Sequence, residues 1–283
     1  MKNFILSLML AVPVSAFSQS YMVLNNRVAL TTDAAGFVYD FNHQINPYEI
    51  TVKGGRYFIE AEKLITIDLN GILYKKDVKV KGTVKGHGGN YFFNEDHNLY
   101  TVDALGFHYI TKDKAFKKVD KFGGNFFTVI NEKDKKIVDL YSVTSLGAHV
   151  KTTVPGLNPA DITTVGSRFL ITNKGAVYTT TKDGIFTIQP DFKITGVKKN
   201  GGNFFLDSMG SLYTISELGK LSLPILPMKL LLVNIAQVGS NYMLDLDGRL
   251  FVVDMTGSVW ERDLTTHDTL KAHDLRSVFV TSK

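Results

Sequence analysis

Arg56 and Arg168 hold the same place relative to an aromatic that follows them, Tyr57 and Phe169, and five other residues share that place: Ser20, Asn90, Asn125, Asn203 and Asn241. A guanidinium presents a planar fork of donors that grips a carboxylate or phosphate through two parallel hydrogen bonds, which an asparagine amide cannot match. Two such forks, departing from a slot that mostly carries asparagine, mark a candidate anion-recognition site. Asn90, Asn125, Asn203 and Asn241 would add neutral hydrogen bonds around it. That chemistry suits an acidic sugar or an acidic side chain of a partner. A second reading stands beside it, in which each arginine caps backbone carbonyls of its own or the neighbouring repeat.

Other residues with chemistry of their own are more dispersed. The seven histidines, His43, His87, His97, His108, His149, His267 and His273, contain no pair at zinc-site spacing such as His-Glu-x-x-His. His87, in the turn-like Gly86-His87-Gly88-Gly89, joins the candidate site; the alternative is a solvent-exposed loop histidine. Asp33, Asp68, Asp103 and Asp254 share a slot with Thr144, Thr181 and Ser216. They read either as a half-ring of carboxylates attracting cations or, since all seven are turn formers, as side chains that cap their own turns. Asp245-Leu246-Asp247-Gly248 matches only the start of a calcium loop and reads as a hairpin turn. No Gly-x-Ser-x-Gly nucleophile elbow and no phosphate-cradling glycine loop occurs. The expectation is therefore no resident metal and no cofactor.

What positions these slots is a repeat. Gly36, Gly71, Gly106, Gly147, Gly184, Gly219 and Gly257 fall 35 to 41 residues apart. Six residues before them stand Leu30, Ile65, Tyr100, Tyr141, Tyr178, Tyr213 and Phe251; further upstream stand the aromatics Tyr21, Tyr57, Tyr91, Phe126, Phe169, Phe204 and Tyr242. Within one unit, Asn90-Tyr91-Phe92-Phe93, Leu99-Tyr100-Thr101-Val102 and Phe107-His108-Tyr109-Ile110 are short β-rich runs separated by turn residues. A fourth run, Lys118-Val119-Asp120-Lys121-Phe122, is expected to close the unit it follows as a four-stranded meander. Seven such units predict an all-β fold, a seven-bladed β-propeller of four-stranded antiparallel blades, with the aromatic series on the innermost strands. The rival, an open β-solenoid, fits the meander poorly. In this arrangement Tyr21 opens the first unit, and the C-terminal run Leu275 to Val280 supplies the fourth strand of the seventh, without a shared-strand closure.

The motif Gly-Gly-Asn-Tyr/Phe-Phe, then Leu-Tyr-Thr-Val-Asp, then glycine and an aromatic, resembles the repeats of secreted β-propellers of the NHL, YVTN and WD-type kinds. The tryptophan-aspartate ending of true WD repeats is missing, and Trp260 is the only tryptophan. The resemblance implies the propeller superfamily and no particular active site.

The chain starts Met1-Lys2-Asn3, runs apolar from Phe4 to Val14, and offers Ala16 and Ser18 as small residues two apart. This is the pattern of a secretory signal peptide over residues 1–18, leaving 19–283 as a single propeller domain in the periplasm or outside the cell. No later run approaches the ~20 apolar residues of a transmembrane helix. With no cysteine among 283 residues there is no disulfide framework, thiolate metal site or cysteine nucleophile. A net charge of +5 is too modest to argue for nucleic acid. The expected function is a non-catalytic binding or scaffold protein of the bacterial envelope that engages a protein or anionic glycan partner; the alternative is a hydrolase or lyase acting on a sugar or lactone at the mouth of the central channel. Three further segments are singled out. Lysines at 75, 76, 79, 81 and 85 and at 112, 114, 117, 118 and 121 form either a basic rim on the outer strands of blades two and three or protection of sheet edges. The apolar stretch Leu221 to Leu232 is either a greasy loop or buried in blade six. Asn131 to Lys136 is an inserted charged loop.

Overall fold

The computed structural model describes residues 20–24, 29–33, 35, 37–41, 45–68, 70–80, 82–130, 133, 138–262 and 278–281. The proposed signal segment, the Tyr21 side chain and all but one residue of the inserted loop lie outside what is described. The described strands assemble into a β-propeller of four-stranded antiparallel sheets. Sheet 4 shows the plan: Val119–Phe122, Phe126–Ile130, Val138–Val143 and His149–Thr152 pair in that order. Sheet 2 (Ile50–Lys53, Tyr57–Glu60, Lys63–Ile67, Leu73–Lys79), sheet 3 (Gly86–His87, Tyr91–Phe93, Leu99–Val102, His108–Thr111), sheet 5 (Ile162–Val165, Phe169–Thr172, Ala176–Thr180, Phe186–Lys193), sheet 6 (Val197–Asn200, Phe204–Asp207, Leu212–Ile215, Leu221–Ser222) and sheet 7 (Ile235–Val238, Tyr242–Asp245, Leu250–Val253, Val259–Arg262) repeat it. Sheet 1 joins Val278–Thr281, from the C-terminus, to Ser20–Leu24, Ala29–Thr32 and Val38–Phe41.

Two expectations about phase are corrected by these pairings. The run ending in Phe122 pairs with the aromatic strand that follows it, not with the unit before it. The aromatic series thus occupies the second strand of each sheet, one out from the innermost. The reason is burial: the second strands of sheets 2 to 7 are almost wholly buried along both faces, whereas the first strands alternate with partly exposed positions that line the central cavities. By the same shift, the C-terminal strand supplies the first strand of sheet 1 rather than the last of sheet 7, so one sheet is built from both chain ends.

Each repeated slot has a mechanical job. A glycine three residues before the leading aromatic lets the ring lie flat on the backbone. A Cβ at Gly123 would sit 2.3 Å from the Phe126 ring, and Gly54, Gly88, Gly166, Gly201 and Gly239 meet their own aromatics in the same way. Two of these aromatics also reach the next sheet: the Tyr57 hydroxyl donates to the Tyr91 carbonyl at 2.7 Å, and that of Tyr91 to the Phe126 carbonyl at 2.5 Å. The next residue along stacks on the tyrosine six before the repeat glycine, because strand register sets them opposite each other. Phe92 on Tyr100, Phe127 on Tyr141 and Phe205 on Tyr213 lie 4.6 to 5.2 Å apart and nearly parallel. Such pairs add about 1 kcal/mol to the burial of the rings themselves.

The repeat glycines from Gly71 to Gly257 have φ of +76° to +88°, the left-handed conformation that closes the turn between the third and fourth strands. Their carbonyls receive a hydroxyl from the neighbouring sheet: Thr31 to Gly71, Thr66 to Gly106, Thr101 to Gly147 and Ser142 to Gly184 at 2.7 to 2.8 Å, and Thr179 to Gly219. Sheets 7 and 1 meet differently. Thr32 donates to Asn241 at 2.7 Å, and Arg262 reaches the Ala35 carbonyl and lies over the Phe37 ring. No helix among the described residues is long and apolar enough to cross a membrane.

Candidate functional site at the centre of the ring

The turn before each second strand carries a small residue and then the asparagine or arginine slot. Adjacent turns are stitched together through their backbones. The amides of Gly55 and Arg56 both donate to the Gly89 carbonyl, those of Gly89 and Asn90 to Gly124, and those of Gly202 and Asn203 to Ser240. This close approach leaves no space for larger side chains; a Cβ on Gly124 would sit 2.1 Å from that of Ser167. The slot residues are consequently forced inward around the axis, where they are 2 to 9 % exposed.

Four of the expected residues, Arg56, Asn90, Asn125 and Arg168, line one cavity of about 30 Å³, together with Ser145 and Lys182 from the turns between third and fourth strands. That volume admits a water or two, or the tip of a carboxylate. Burial pulls the Arg56 guanidinium well below the ordinary arginine range, to about 10, and the charge of Arg168 pulls in the same direction against the opposing pull of Asp103. Burial likewise draws Arg168 to about 10, against Glu217 and Asp183. Two desolvated cations within each other's field are a setting in which an anion is welcome.

The same slot also serves structure. Asn90, Asn125 and Arg168 donate to the carbonyls of Thr144, Thr181 and Ser216, each on the following sheet, at 3.1 to 3.4 Å. The two readings of the arginines are thus combined in Arg168, which caps a carbonyl and lines the cavity. Asn203 and Asn241 do not line it: Asn203 donates to the Val253 carbonyl and Asn241 accepts from Thr32. His87 lies elsewhere too, in the wall of a wider cavity of about 400 Å³ formed by the first strands of sheets 3 to 7, with Phe122, Val165, Asn200 and Val238. The two cavities adjoin through Gly89, Gly124 and Ser167, which line both.

The aspartate slot is structural. Oδ1 of Asp68 accepts the amides of Asn70 and Ile72, and Oδ2 accepts the Tyr74 hydroxyl; Asp103 repeats this with Leu105, Phe107 and Tyr109, and Asp254 with Thr256, Ser258 and the Trp260 indole. These carboxylates are occupied as turn caps, so the cation-attracting half-ring is not formed. Asp245 caps its hairpin in the same manner and pairs with Arg249. No group of three or more metal-ligating side chains occurs among the described residues. The two lysine clusters do not make one rim. Lys75, Lys76 and Lys79 are on the outer strand of sheet 2, but Lys114, Lys117 and Lys118 are in a 3₁₀ turn and Lys121 is on the inner strand of sheet 4 beside Asp120.

Ser145 and Lys182 were not legible as site residues, although both stand two before a repeat glycine and so share a slot. The turns carrying this slot also present a run of exposed apolar side chains, Leu105, Phe107, Leu146, Ile185 and Leu218, 55 to 74 % exposed.

No family model and no curated protein matches the chain. Among solved structures it is similar to virginiamycin B lyase from Staphylococcus aureus, with 12 % identity over 83 % of this chain and 87 % of that one and a TM-score of 0.35. A catalytically inactive variant of that lyase with quinupristin gives 12 %, 86 %, 92 % and 0.34. The extracellular domain of a one-component system of B. thetaiotaomicron gives 11 % identity, 84 % of this chain, 37 % of that chain and a TM-score of 0.29.

Proposed function

We propose that this chain is a non-catalytic binding protein exported to the periplasm or beyond: a single ring of seven blades over residues 19–283, released from a signal peptide at residues 1–18. One face of it engages a partner that carries an acidic group. The observation that supports this reading best is the shared cavity of Arg56 and Arg168, two buried guanidiniums lining a space with room for one small group. Asn90 and Asn125 would supply neutral hydrogen bonds to that group, and Lys182 a third positive charge. The side chains around the cavity are guanidiniums, amides, two hydroxyls and an ammonium, which favours holding a carboxylate over cycling protons at neutral pH. The exposed Leu105, Phe107, Leu146, Ile185 and Leu218 on the surrounding turns favour a protein segment over a glycan, because they reward apolar contact beside the acidic group.

The test uses two probes, a short peptide in which glutamate alternates with leucine and an acidic oligogalacturonate, each titrated calorimetrically into residues 19–283. The reading expects the peptide to bind, more weakly as salt rises, and to lose at least about tenfold in affinity, 1.4 kcal/mol, when Arg56 and Arg168 are both replaced by asparagine. Glycan binding with the same arginine dependence would keep the site and change the partner class. Binding of both probes that ignores the arginines would remove the site.

A further inference from the structure

We infer that the outer edge of sheets 6 and 7 is the docking surface for a second copy of this chain, forming a two-fold dimer. The fourth strand of sheet 6 stops after Leu221–Ser222. Pro224 and Pro227 follow at once; proline cannot donate to a sheet ladder, so the segment leaves the sheet as a loop. The loop is anchored, not loose. Leu230 is buried, Leu226 and Leu232 pack on the core that sheets 6 and 7 share, and the Leu230 amide closes a turn on the Pro227 carbonyl at 2.9 Å. Held this way, it pushes Ile225 and Met228 outward, 95 % and 97 % exposed, beside Leu223 at 60 % and Val233 at 88 %. The apolar stretch is therefore split between core and surface.

Next to this protrusion lies a groove of about 470 Å³, walled by Pro224 and Pro227 on one side and by Val259 and half-exposed Trp260 on the other. A knob and a hole side by side on one surface are what an isologous contact requires, since a two-fold axis sets each copy's knob against the other's hole. The charges agree with the same operator. Lys229 and Glu261 are 3.4 Å apart at the edge of the groove, with side chains 60 % and 31 % exposed. A two-fold axis that passes beside this pair sets the lysine of one copy opposite the glutamate of the other. Apolar side chains this exposed, beside a groove and an ion pair that can exchange partners between copies, suit a two-fold contact.

The experiment is sedimentation equilibrium of residues 19–283 over a concentration series from sub-micromolar to about 100 μM. The expected result is a monomer–dimer equilibrium weakened at least about tenfold by Ile225→Asp and, separately, by Met228→Asp, with far-ultraviolet dichroism unchanged and the melting temperature unchanged at concentrations where the parent protein is monomeric. Lys229→Glu alone should weaken the dimer, and Lys229→Glu combined with Glu261→Lys should restore it. A monomer throughout, or a dimer indifferent to both Asp substitutions, overturns the inference. So does a monomer that co-sediments with anionic lipid vesicles through Ile225, which would make the patch a lipid anchor.

Discussion

Replacing Arg56 or Arg168 by asparagine should make the protein more stable while it loses its ligand. Each guanidinium is drawn well below the ordinary arginine range, to about 10, mainly by burial. A displacement of that size corresponds to roughly 3 kcal/mol of disfavour for the charged form in the folded state. The Asn90 and Asn125 amides reach the equivalent carbonyls of Thr144 and Thr181, so Arg168→Asn is expected to leave the Ser216 carbonyl satisfied. Against the gain stands the lost packing of the arginine stem, about 0.8 kcal/mol per buried methylene. The balance is a gain of about 1 to 2 kcal/mol for each substitution, read as a higher urea midpoint and as roughly 2 to 4 °C in melting temperature per kcal/mol. The double variant should gain less than the two singles together, because removing Arg168 already relieves Arg56 of a neighbouring charge. A base whose folded pKa lies below its unfolded one opposes folding while it is charged. The advantage of the asparagine variants is thus complete at pH 7 and shrinks as pH rises through about 10. If both single variants lose more than about 1 kcal/mol, the arginines are structural clamps and the reasoning fails.

Three other outcomes are expected. Thr101→Val should cost about 1 to 3 kcal/mol in urea unfolding, since it keeps the shape but leaves the buried Gly147 carbonyl without its donor at 2.7 Å; a neutral result would show that the hydroxyl contacts between sheets carry no weight. Gly123→Ala should cost about 1 to 3 kcal/mol through overpacking against Phe126, with near-ultraviolet dichroism reporting the displaced ring; unaltered stability would contradict the stacking of the ring on the glycine. Mass spectrometry of the protein recovered from the envelope or medium should show an N-terminus at or near Gln19, and retention of Met1 would contradict export by a cleaved signal.

The repeat was legible because three of its slots carry chemistry that few residues satisfy: glycine at positive φ, an aromatic buried in a second strand, and a small polar turn cap. What stayed hidden is phase. Lys118 to Phe122 has the same β-rich composition whether it ends one sheet or begins the next, and only the pairing of Val119 with Val129 decides it. The shared-strand closure of sheet 1 follows from that one shift. The hydroxyl slot of Thr31, Thr66, Thr101, Ser142 and Thr179 was visible in register, yet its use depends on which carbonyl the next sheet brings alongside. At the site, Arg56 and Arg168 stood out by breaking a pattern. Asn203 and Asn241 could not be told from Asn90 and Asn125, because all four share one slot and differ only in which blade faces the cavity.

The central claim is that an anion sits between Arg56 and Arg168. The most direct measurement is diffraction from crystals of residues 19–283 grown with bromide, with data collected across the bromine absorption edge. A peak of anomalous density within hydrogen-bond reach of both guanidiniums, absent from crystals of the Arg56→Asn, Arg168→Asn double variant grown in the same bromide, is the predicted result. Anomalous density confined to surface lysines, with none in the arginine cavity, would contradict it.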